Sequence, residues 1–465
     1  MVAFQFAGRR HFLEFFAHIS NLPLAPPERK GLLNLVRAQN PRQIALRVLH
    51  RAGARAFVED RLDSTLAGAR LSPADRRLCQ ELVYGVIRWQ ATLDWLIARK
   101  TEKPSQKPLL QNLLRLGLYQ LFWLERIPPH AAVHETVELA RLSGLVSKGG
   151  FVNALLRGYL REATATIELL ANLKSRQPAL GYSHPEWLAA RWQQRWGRDN
   201  AARLMAWNNT PPKTFARLNS LKADAARLLA QWRDENVQYD FVHHDWLEPN
   251  LVFELKSHPP LPDLPSFQQG LFYVQDPSTL LAVRALQPQP GETVLDFCAA
   301  PGGKLTYAAQ LMDNKGQIVA CDISSQRLKL IQENCARLGA TCAKVVLLST
   351  LNSQLSTLFD RILLDVPCSN TGVMRRRVEL RRRLRPEEIQ RLRTLQLELL
   401  RQAAPLLKPG GTLVYSTCSL EPEENQQVIQ QFLAAHPGFK LQLERELLPF
   451  ADGVDGTFVA QIMLS

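Results

Sequence analysis

Residues 294–304 read VLDFCAAPGGK, an apolar run that passes through a glycine turn into a helical pattern. Further apolar runs and helical patterns alternate to the end of the chain, with predicted strands at 293–297, 317–322, 343–348, 359–365 and 411–416 and predicted helices near 303–312, 325–338, 386–406 and 422–435. Such alternation is typical of a mostly parallel sheet with helices on both faces. We therefore predict an α/β domain over residues 271–465.

The sequence before this domain divides into three parts. Residues 1–39 mix phenylalanine, arginine and proline but lack the apolar core of a signal peptide. We interpret them as an extension, and the alternative is that translation begins further along. Apolar residues at helical spacing predict an all-α domain over 40–165. Residues 166–270 are mixed in pattern and predict a small α/β subdomain. The length of 465 residues fits about three domains of roughly 150 residues each.

The charge of the chain indicates a polyanionic partner. The formal net charge is +14, and nucleic acid is the commonest polyanion that so basic a protein meets. A generic basic surface explains the charge alone about equally well. No apolar stretch is long enough to span a bilayer, and we predict a cytoplasmic protein without membrane contact.

Tryptophan and arginine interleave in one predicted helix of the small subdomain. They are Trp187, Arg191, Trp192, Arg195, Trp196 and Arg198. Aromatic rings among arginines can stack on bases while the arginines hold phosphate, so we predict that the subdomain at 166–270 binds RNA. For any single tryptophan, packing into a small core is the favoured alternative.

The seven cysteines do not follow a metal-binding pattern. They show no Cys-x-x-Cys pair or His/Cys cluster, so we predict no metal site. Five of them fall between Cys298 and Cys368, which suits reduced thiols in a cytosolic enzyme better than a disulfide framework.

The turn at residues 298–304, which we name the cofactor loop, has the features of a nucleotide site. Its glycines allow a ligand to approach the backbone at the start of a helix. Asp322 ends the next strand, where an acid can accept hydrogen bonds from ribose hydroxyls. The loop lacks both the G-x-G-x-x-G fingerprint of dinucleotide sites and the spacing of a phosphate-binding loop. S-adenosylmethionine therefore fits it better.

Two cysteines follow the predicted strands that end near Asp365 and Ser416. They are Cys368 and Cys418, and in an open α/β sheet this edge binds ligands. A thiolate that adds to carbon 6 of cytosine allows carbon 5 to attack an electrophilic methyl group. Asp365 can hold the pyrimidine edge. The chemistry does not decide which cysteine attacks, and burial of one as a small apolar residue remains the alternative.

Four segments of the chain resemble the Sun family of RNA (cytosine-5) methyltransferases. They are CAAPGGK at 298–304, DVPCSNTG at 365–372, YSTCS at 415–419 with PEEN at 422–425, and QDPS at 275–278. The all-α part resembles the NusB fold in the segments at 75–76, 82–88, 127–133 and 151–157. A NusB-like domain before this catalytic domain is similar to the bacterial 16S ribosomal RNA methyltransferases of the RsmB/Sun type.

The resemblance implies a Rossmann-like, class I methyltransferase domain and a role for each site residue. Cys418 is implied to be the nucleophile and Cys368 to help release the product. Asp365 is implied to lie between cofactor and cytosine, and Lys304 to contact the site. The implied cofactor is S-adenosyl-L-methionine, bound by Cys298, Ala299, Ala300, Pro301, Gly302, Gly303, Lys304, Asp322, Arg327 and Asp365.

Two segments depart from the family pattern. The family usually carries an acid after the third strand, near the adenine, whereas residues 345–352 read VVLLSTLN. Ser349, Thr350 or Asn352 would have to bond the adenine instead. Arginines at 375–377 and 381–383 replace the usual His/Asn-Pro-Asp segment, and we predict that this arginine run contacts RNA phosphate.

These observations predict methyl transfer from S-adenosylmethionine to carbon 5 of a cytosine in 16S ribosomal RNA, either free or in an assembly intermediate, by a monomeric enzyme. The target base must be unstacked to bring carbon 6 within reach of a thiolate. The alternatives are the same chemistry on transfer RNA, and a non-catalytic RNA-binding or ribosome assembly factor.

Overall fold

The N-terminal half of the chain is helical. The computed structural model describes residues 40–50, 57–103, 105–350 and 358–465, except for the side chain of residue 350. Its first helices are α1 (Pro41–His50), α2 (Val58–Ala67), α3 (Pro73–Arg88), α4 (Gln90–Arg99), α5 (Pro108–Trp123), α6 (Pro129–Leu142), α7 (Gly149–Arg161), α8 (Ala163–Arg176), α9 (Pro178–Gly181) and α10 (Glu186–Trp207). The predicted all-α fold of this part of the chain is confirmed.

Local sequence explains where these helices begin and what they bury. In α3, the Ser72 side chain accepts a hydrogen bond from the Asp75 backbone N–H, and a proline follows at the first helical position. Leu82, Val83 and Val86 recur on one face of α3 and are buried in the core that α1 to α7 share.

A small antiparallel sheet follows α10. Its strands are β1 (Thr214–Leu218), β2 (Gln238–Phe241), β3 (Val252–Ser257) and β4 (Phe272–Val274), in the order β2-β3-β1-β4. The short helices α11 (Ala225–Asp234) and α12 (Pro265–Gln268) accompany it. Trp232 of α11 is fully buried against the rings of Tyr239, Phe253 and Phe272.

The C-terminal half forms a Rossmann-like α/β unit, as predicted. Its strands are β5 (Thr293–Asp296), β6 (Gln317–Asp322), β7 (Ala343–Leu347), β8 (Phe359–Asp365), β9 (Leu407–Thr417), β10 (Phe439–Leu447) and β11 (Thr457–Leu464). The helices are α13 (Leu280–Leu286), α14 (Gly303–Leu311), α15 (Ser325–Leu338), α16 (Leu380–Arg383), α17 (Pro386–Ala403), α18 (Gln426–Ala435) and α19 (Pro449–Asp452).

The strand order of this sheet places a crevice at its carboxyl edge. The order is β10-β11-β9-β8-β5-β6-β7, and the five strands from β9 to β7 are parallel. After β7 the chain returns to the other side of β5, so the direction of winding reverses between β5 and β8. Ligands of open α/β sheets bind outside the strand ends at such a switch point.

No helix in the described part of the chain is long and apolar enough to cross a membrane. Nor do the described residues contain a group of three or more His, Cys, Asp or Glu side chains that could hold a metal ion.

Candidate active site

The two cysteines lie side by side at the carboxyl edge of the sheet. Cys368 follows β8 and Cys418 follows β9, and these parallel strands are in register, with Asp365 opposite Ser416. The two Sγ atoms are 3.2 Å apart. The hydrogen bond with Cys418, followed by burial, raises the pKa of Cys368 well above its ordinary value. Cys418 is less buried than Cys368.

Asn370 links the two cysteine loops. Its φ of 60° places it in the left-handed region, which asparagine tolerates better than most residues. Its Oδ1 accepts a hydrogen bond from the Cys418 thiol at 3.1 Å, and its Nδ2 donates to the Cys368 carbonyl at 2.7 Å. Gly372 brings the loops close, since a β-carbon there would approach the Cys418 carbonyl oxygen to 2.8 Å.

An ion pair stands beside the thiols. The Lys304 Nζ lies 2.6 Å from Asp365 Oδ2, and the Ser416 hydroxyl donates to Asp365 Oδ1 at 2.7 Å. Burial by itself lowers the pKa of Lys304, but the Asp365 carboxylate and other acidic groups nearby together leave that pKa raised. Lys304 is therefore a cation at neutral pH, and Asp365 is fixed from two sides.

The cofactor loop closes over the end of β5. Gly302, with φ of 101°, precedes α14, and a β-carbon on Gly303 would come within 2.8 Å of the Tyr273 ring. Glycine thus suits position 302 because of its positive φ and position 303 because of its closeness to the ring. The Ala299 N–H donates to the Cys321 carbonyl on β6 at 2.9 Å.

Asp322 ends β6 beside this loop. Its carboxylate is buried and lies 3.4 Å from each of the backbone N–H groups of Ala300 and Ser324. Arg327 on α15 lies 3.4 Å from the same carboxylate and donates to the Ala300 carbonyl. The structure therefore brings together every residue that the resemblance assigns to the cofactor.

Asp296, the last residue of β5, lies in this crevice and was not predicted as a site residue. It is 2% exposed, and among the described residues neither carboxylate oxygen has a well-formed hydrogen bond. Burial, followed by the charge of Asp365, raises the pKa of Asp296 to about 8. An unpartnered buried acid next to a glycine cradle fits a ligand that brings hydrogen-bond donors, as S-adenosylmethionine would.

The tryptophan and arginine side chains of α10 pack against the Cys418 loop. Arg191 pairs with Glu421 and Glu423, and the buried Trp192 donates its indole N–H to Glu421 at 3.2 Å. Arg195 pairs with Glu446. Stacking of Trp192 on a base is therefore excluded, and the packing alternative holds for that residue.

Two of the six arginines in the run are turned inward. Arg375 is 1% exposed and pairs with Asp276 and Asp455. Arg381 is 4% exposed, and burial lowers its pKa well below the ordinary value. The prediction that the run contacts RNA phosphate is wrong for Arg375 and Arg381. For Arg376, which is partly exposed, and for the exposed Arg377, Arg382 and Arg383 it stays a prediction.

The segment without the expected acid forms a short turn after β7. Leu348–Thr350 is a single 3₁₀ turn, and Ser349 is exposed. Asn352 lies outside the described residues, as does the side chain of Thr350.

Three family models match successive parts of the chain. The NusB family matches residues 39–161, a ferredoxin-like domain of RsmF/B-like methyltransferases matches 184–248, and the 16S rRNA methyltransferase RsmB/F model matches 283–463. A crystal structure of the protein PH0851 covers 93% of this chain and 100% of its own, with a TM-score of 0.73 and 25% identity.

Curated relatives extend the similarity over most of the sequence. The probable ribosomal RNA small subunit methyltransferase B of Bacillus subtilis is 38% identical over 425 residues, which are 86% of this chain and 93% of that protein. The ribosomal RNA small subunit methyltransferase B of Klebsiella pneumoniae is 37% identical over 405 residues, 85% of this chain and 91% of its own. The chain therefore belongs to the RsmB family of ribosomal RNA small subunit methyltransferases.

Proposed function

We propose that this protein transfers the methyl group of S-adenosylmethionine to carbon 5 of a cytosine in 16S ribosomal RNA, through a covalent bond to Cys418. The observation that carries the proposal is the pair of thiols 3.2 Å apart beside the Lys304–Asp365 ion pair. Amino-group methylation has no need of two thiols. The names of the curated relatives support ribosomal RNA of the small subunit as the substrate.

Cys418 is the better nucleophile of the two. Its thiol is less buried and donates to Asn370, whereas Cys368 keeps its proton because its pKa is raised. The Cys418 thiolate adds to carbon 6 of the base, which makes carbon 5 nucleophilic. After methylation, a base removes the carbon 5 proton and the bond between carbon 6 and sulfur breaks. Cys368 is in hydrogen-bond contact with the departing sulfur, which suits a role in release.

Asp365 and Lys304 orient the base. Asp365 is held by Lys304 and Ser416, so its carboxylate can accept a hydrogen bond from the cytosine amino group without moving. Fixed groups of this kind stabilise charge as it develops on the ring, since they need no reorganisation during the reaction.

The cofactor loop, Asp322 and Arg327 would hold S-adenosylmethionine. That group supplies an electrophilic methyl when bound. The protein contributes backbone N–H groups at the start of α14, the Asp322 carboxylate for the ribose hydroxyls, and Asp296 as an unpartnered acceptor or donor.

Replacing Cys368 with alanine tests the mechanism. If Cys368 assists release through Cys418, then Cys368→Ala accumulates a protein–RNA adduct that survives denaturing electrophoresis. The matched control is the double variant Cys368→Ala/Cys418→Ala, which should form none. An adduct that persists in the double variant would exclude Cys418 as the nucleophile.

The substrate is identified by bisulfite sequencing of ribosomal and transfer RNA from a deletion strain. We expect one protected cytosine of 16S ribosomal RNA to become reactive. Loss of a transfer RNA mark instead would favour that substrate, and no lost mark together with no adduct would favour the assembly-factor alternative.

A further inference from the structure

A serine follows each of the two cysteines, and both serines are buried at the same point. Ser369 is 3% exposed and Ser419 is 0% exposed, and their hydroxyl oxygens are 3.0 Å apart. Each hydroxyl also donates to one oxygen, Oε2, of Glu424. The Glu424 carboxylate therefore contacts the residue that follows each of the two cysteines.

The other oxygen of Glu424 extends the same contacts. Its Oε1 accepts the Ser369 backbone N–H at 2.9 Å and the Gln396 side-chain amide at 3.1 Å. These four donors are neutral. Placing a carboxylate among them in the protein interior costs free energy, and burial raises the pKa of Glu424 accordingly.

Glu424 is itself anchored to β9. The Tyr415 hydroxyl donates to the Glu424 carbonyl at 2.6 Å. The next residue, Asn425, accepts from the Thr417 hydroxyl at 2.6 Å and donates to the Ser419 carbonyl at 2.9 Å. The carboxylate thus has a fixed position relative to the strand that presents Cys418.

We infer that Glu424 is a positioning residue, which sets the separation of the Cys368 and Cys418 thiols by binding Ser369 and Ser419. The functional consequence rests on the proposed function, because only a reaction that uses both thiols depends on their spacing. The charge of Glu424 also contributes to the raised pKa of Cys368, after the Cys418 hydrogen bond, burial and the charge of Cys418.

Phenylarsine oxide measures the thiol spacing without any catalysis. The reagent condenses with two neighbouring thiols, forming two As–S bonds and releasing one water, with no change of oxidation state. Bound arsenical is counted by mass spectrometry of the intact full-length protein. The Cys418→Ser variant gives the background from the other cysteines.

The variants to compare are Glu424→Ala, Glu424→Gln and Glu423→Ala. Glutamine keeps one acceptor for the Ser369 N–H, and its amide can donate to the hydroxyls, so Glu424→Gln should bind the arsenical like the wild type. Glu423→Ala removes a neighbouring acid that pairs with Arg191 and should also leave binding unchanged. Glu424→Ala should bind about 100-fold more weakly, because the gain from a second bond is lost.

Methyl transfer gives a second readout. We expect Glu424→Ala to lower the rate by about 100-fold, the effect of displacing a reacting group by about 1 Å, and Glu424→Gln to restore most of it. Wild-type arsenical binding by a folded Glu424→Ala variant would overturn the inference. If that variant does not fold, the double variant Ser369→Ala/Ser419→Ala takes its place. Wild-type arsenical binding by the double variant would also contradict the inference.

The two hypotheses fail separately. If the wild type methylates no cytosine but its arsenical binding depends on Glu424, the positioning role stands and the proposed function falls. If methyl transfer occurs and neither readout responds to Glu424, the positioning role falls alone.

Discussion

Single residues at the site show where sequence reasoning succeeds and where it ends. Cys368 and Cys418 could be placed at one sheet edge because each follows an apolar run, and strand ends are readable from sequence. Asn370 and Glu424 could not be assigned roles. Their partners lie 48 and 55 residues away along the chain, and only the folded loops bring them together.

Asp296 gives a prediction about pH. Its pKa is about 8 in the folded protein against an ordinary 3.8, so between these values the folded state holds a proton that the unfolded state has lost. Stability that is present below pH 4 is therefore lost as pH rises toward 8. Relative to Asp296→Asn, the wild type should lose about 1.4 kcal/mol per pH unit between pH 5 and 7.

Urea denaturation of both proteins at pH 5, 6 and 7 measures this difference. Asp360→Asn is the matched control, because the pKa of that partly exposed acid is lowered, not raised, to about 2. Parallel stability curves for the wild type and Asp296→Asn would contradict the raised pKa.

At the scale of elements, the five parallel strands were predicted within a few residues, except that β9 begins four residues before the predicted 411. The antiparallel strands β10 and β11 were missed. In β10 most side chains are exposed, so it lacks the apolar run by which the inner strands were recognised. Arg375 and Arg381 were misjudged for a related reason, since a sequence shows charge but not burial.

The buried Arg381 binds the C-terminal ends of two helices. Its guanidinium donates to the carbonyls of Arg88, the last residue of α3, and Asn208, the C-cap residue of α10. A cation at two helix C-termini is favourable. Arg381→Met leaves both carbonyls without this donor, and we expect a loss of about 3 kcal/mol in the free energy of unfolding.

Arg401→Met is the control for that substitution. Arg401 is an exposed arginine in the last turn of α17, and its replacement should change stability by less than about 0.5 kcal/mol. The urea concentrations at the unfolding midpoints of the two variants measure this difference in stability. Equal midpoints would show that Arg381 does not serve as a cap.

At the scale of the molecule, the chain after β8 joins the catalytic sheet to the N-terminal helices. Val378 is part of the helical core. Glu379 accepts the backbone N–H of Val58, the first residue of α2, at 2.7 Å and pairs with Arg61. The segment that follows Cys368 and Asn370 thus packs against the NusB-like domain. It connects the catalytic domain to the helical domain by direct contacts.

This connection predicts coupled local unfolding. In Glu379→Ala the Val58 N–H at the start of α2 loses its hydrogen-bond acceptor. We expect this loss to lower the free energy of local unfolding by about 1.4 kcal/mol, which is about a tenfold change in the equilibrium constant for opening. Hydrogen exchange followed by mass spectrometry should therefore be about tenfold faster in Val58–Ala67 and in Leu380–Arg383, but unchanged in β5 and β6. Glu388→Ala, which removes an exposed ion pair within α17, should leave α2 unchanged. Glu379 and Val58 are 321 residues apart in sequence, so faster exchange in α2 must arise through their contact in the folded protein. Unchanged exchange in α2 would mean that the two domains open independently.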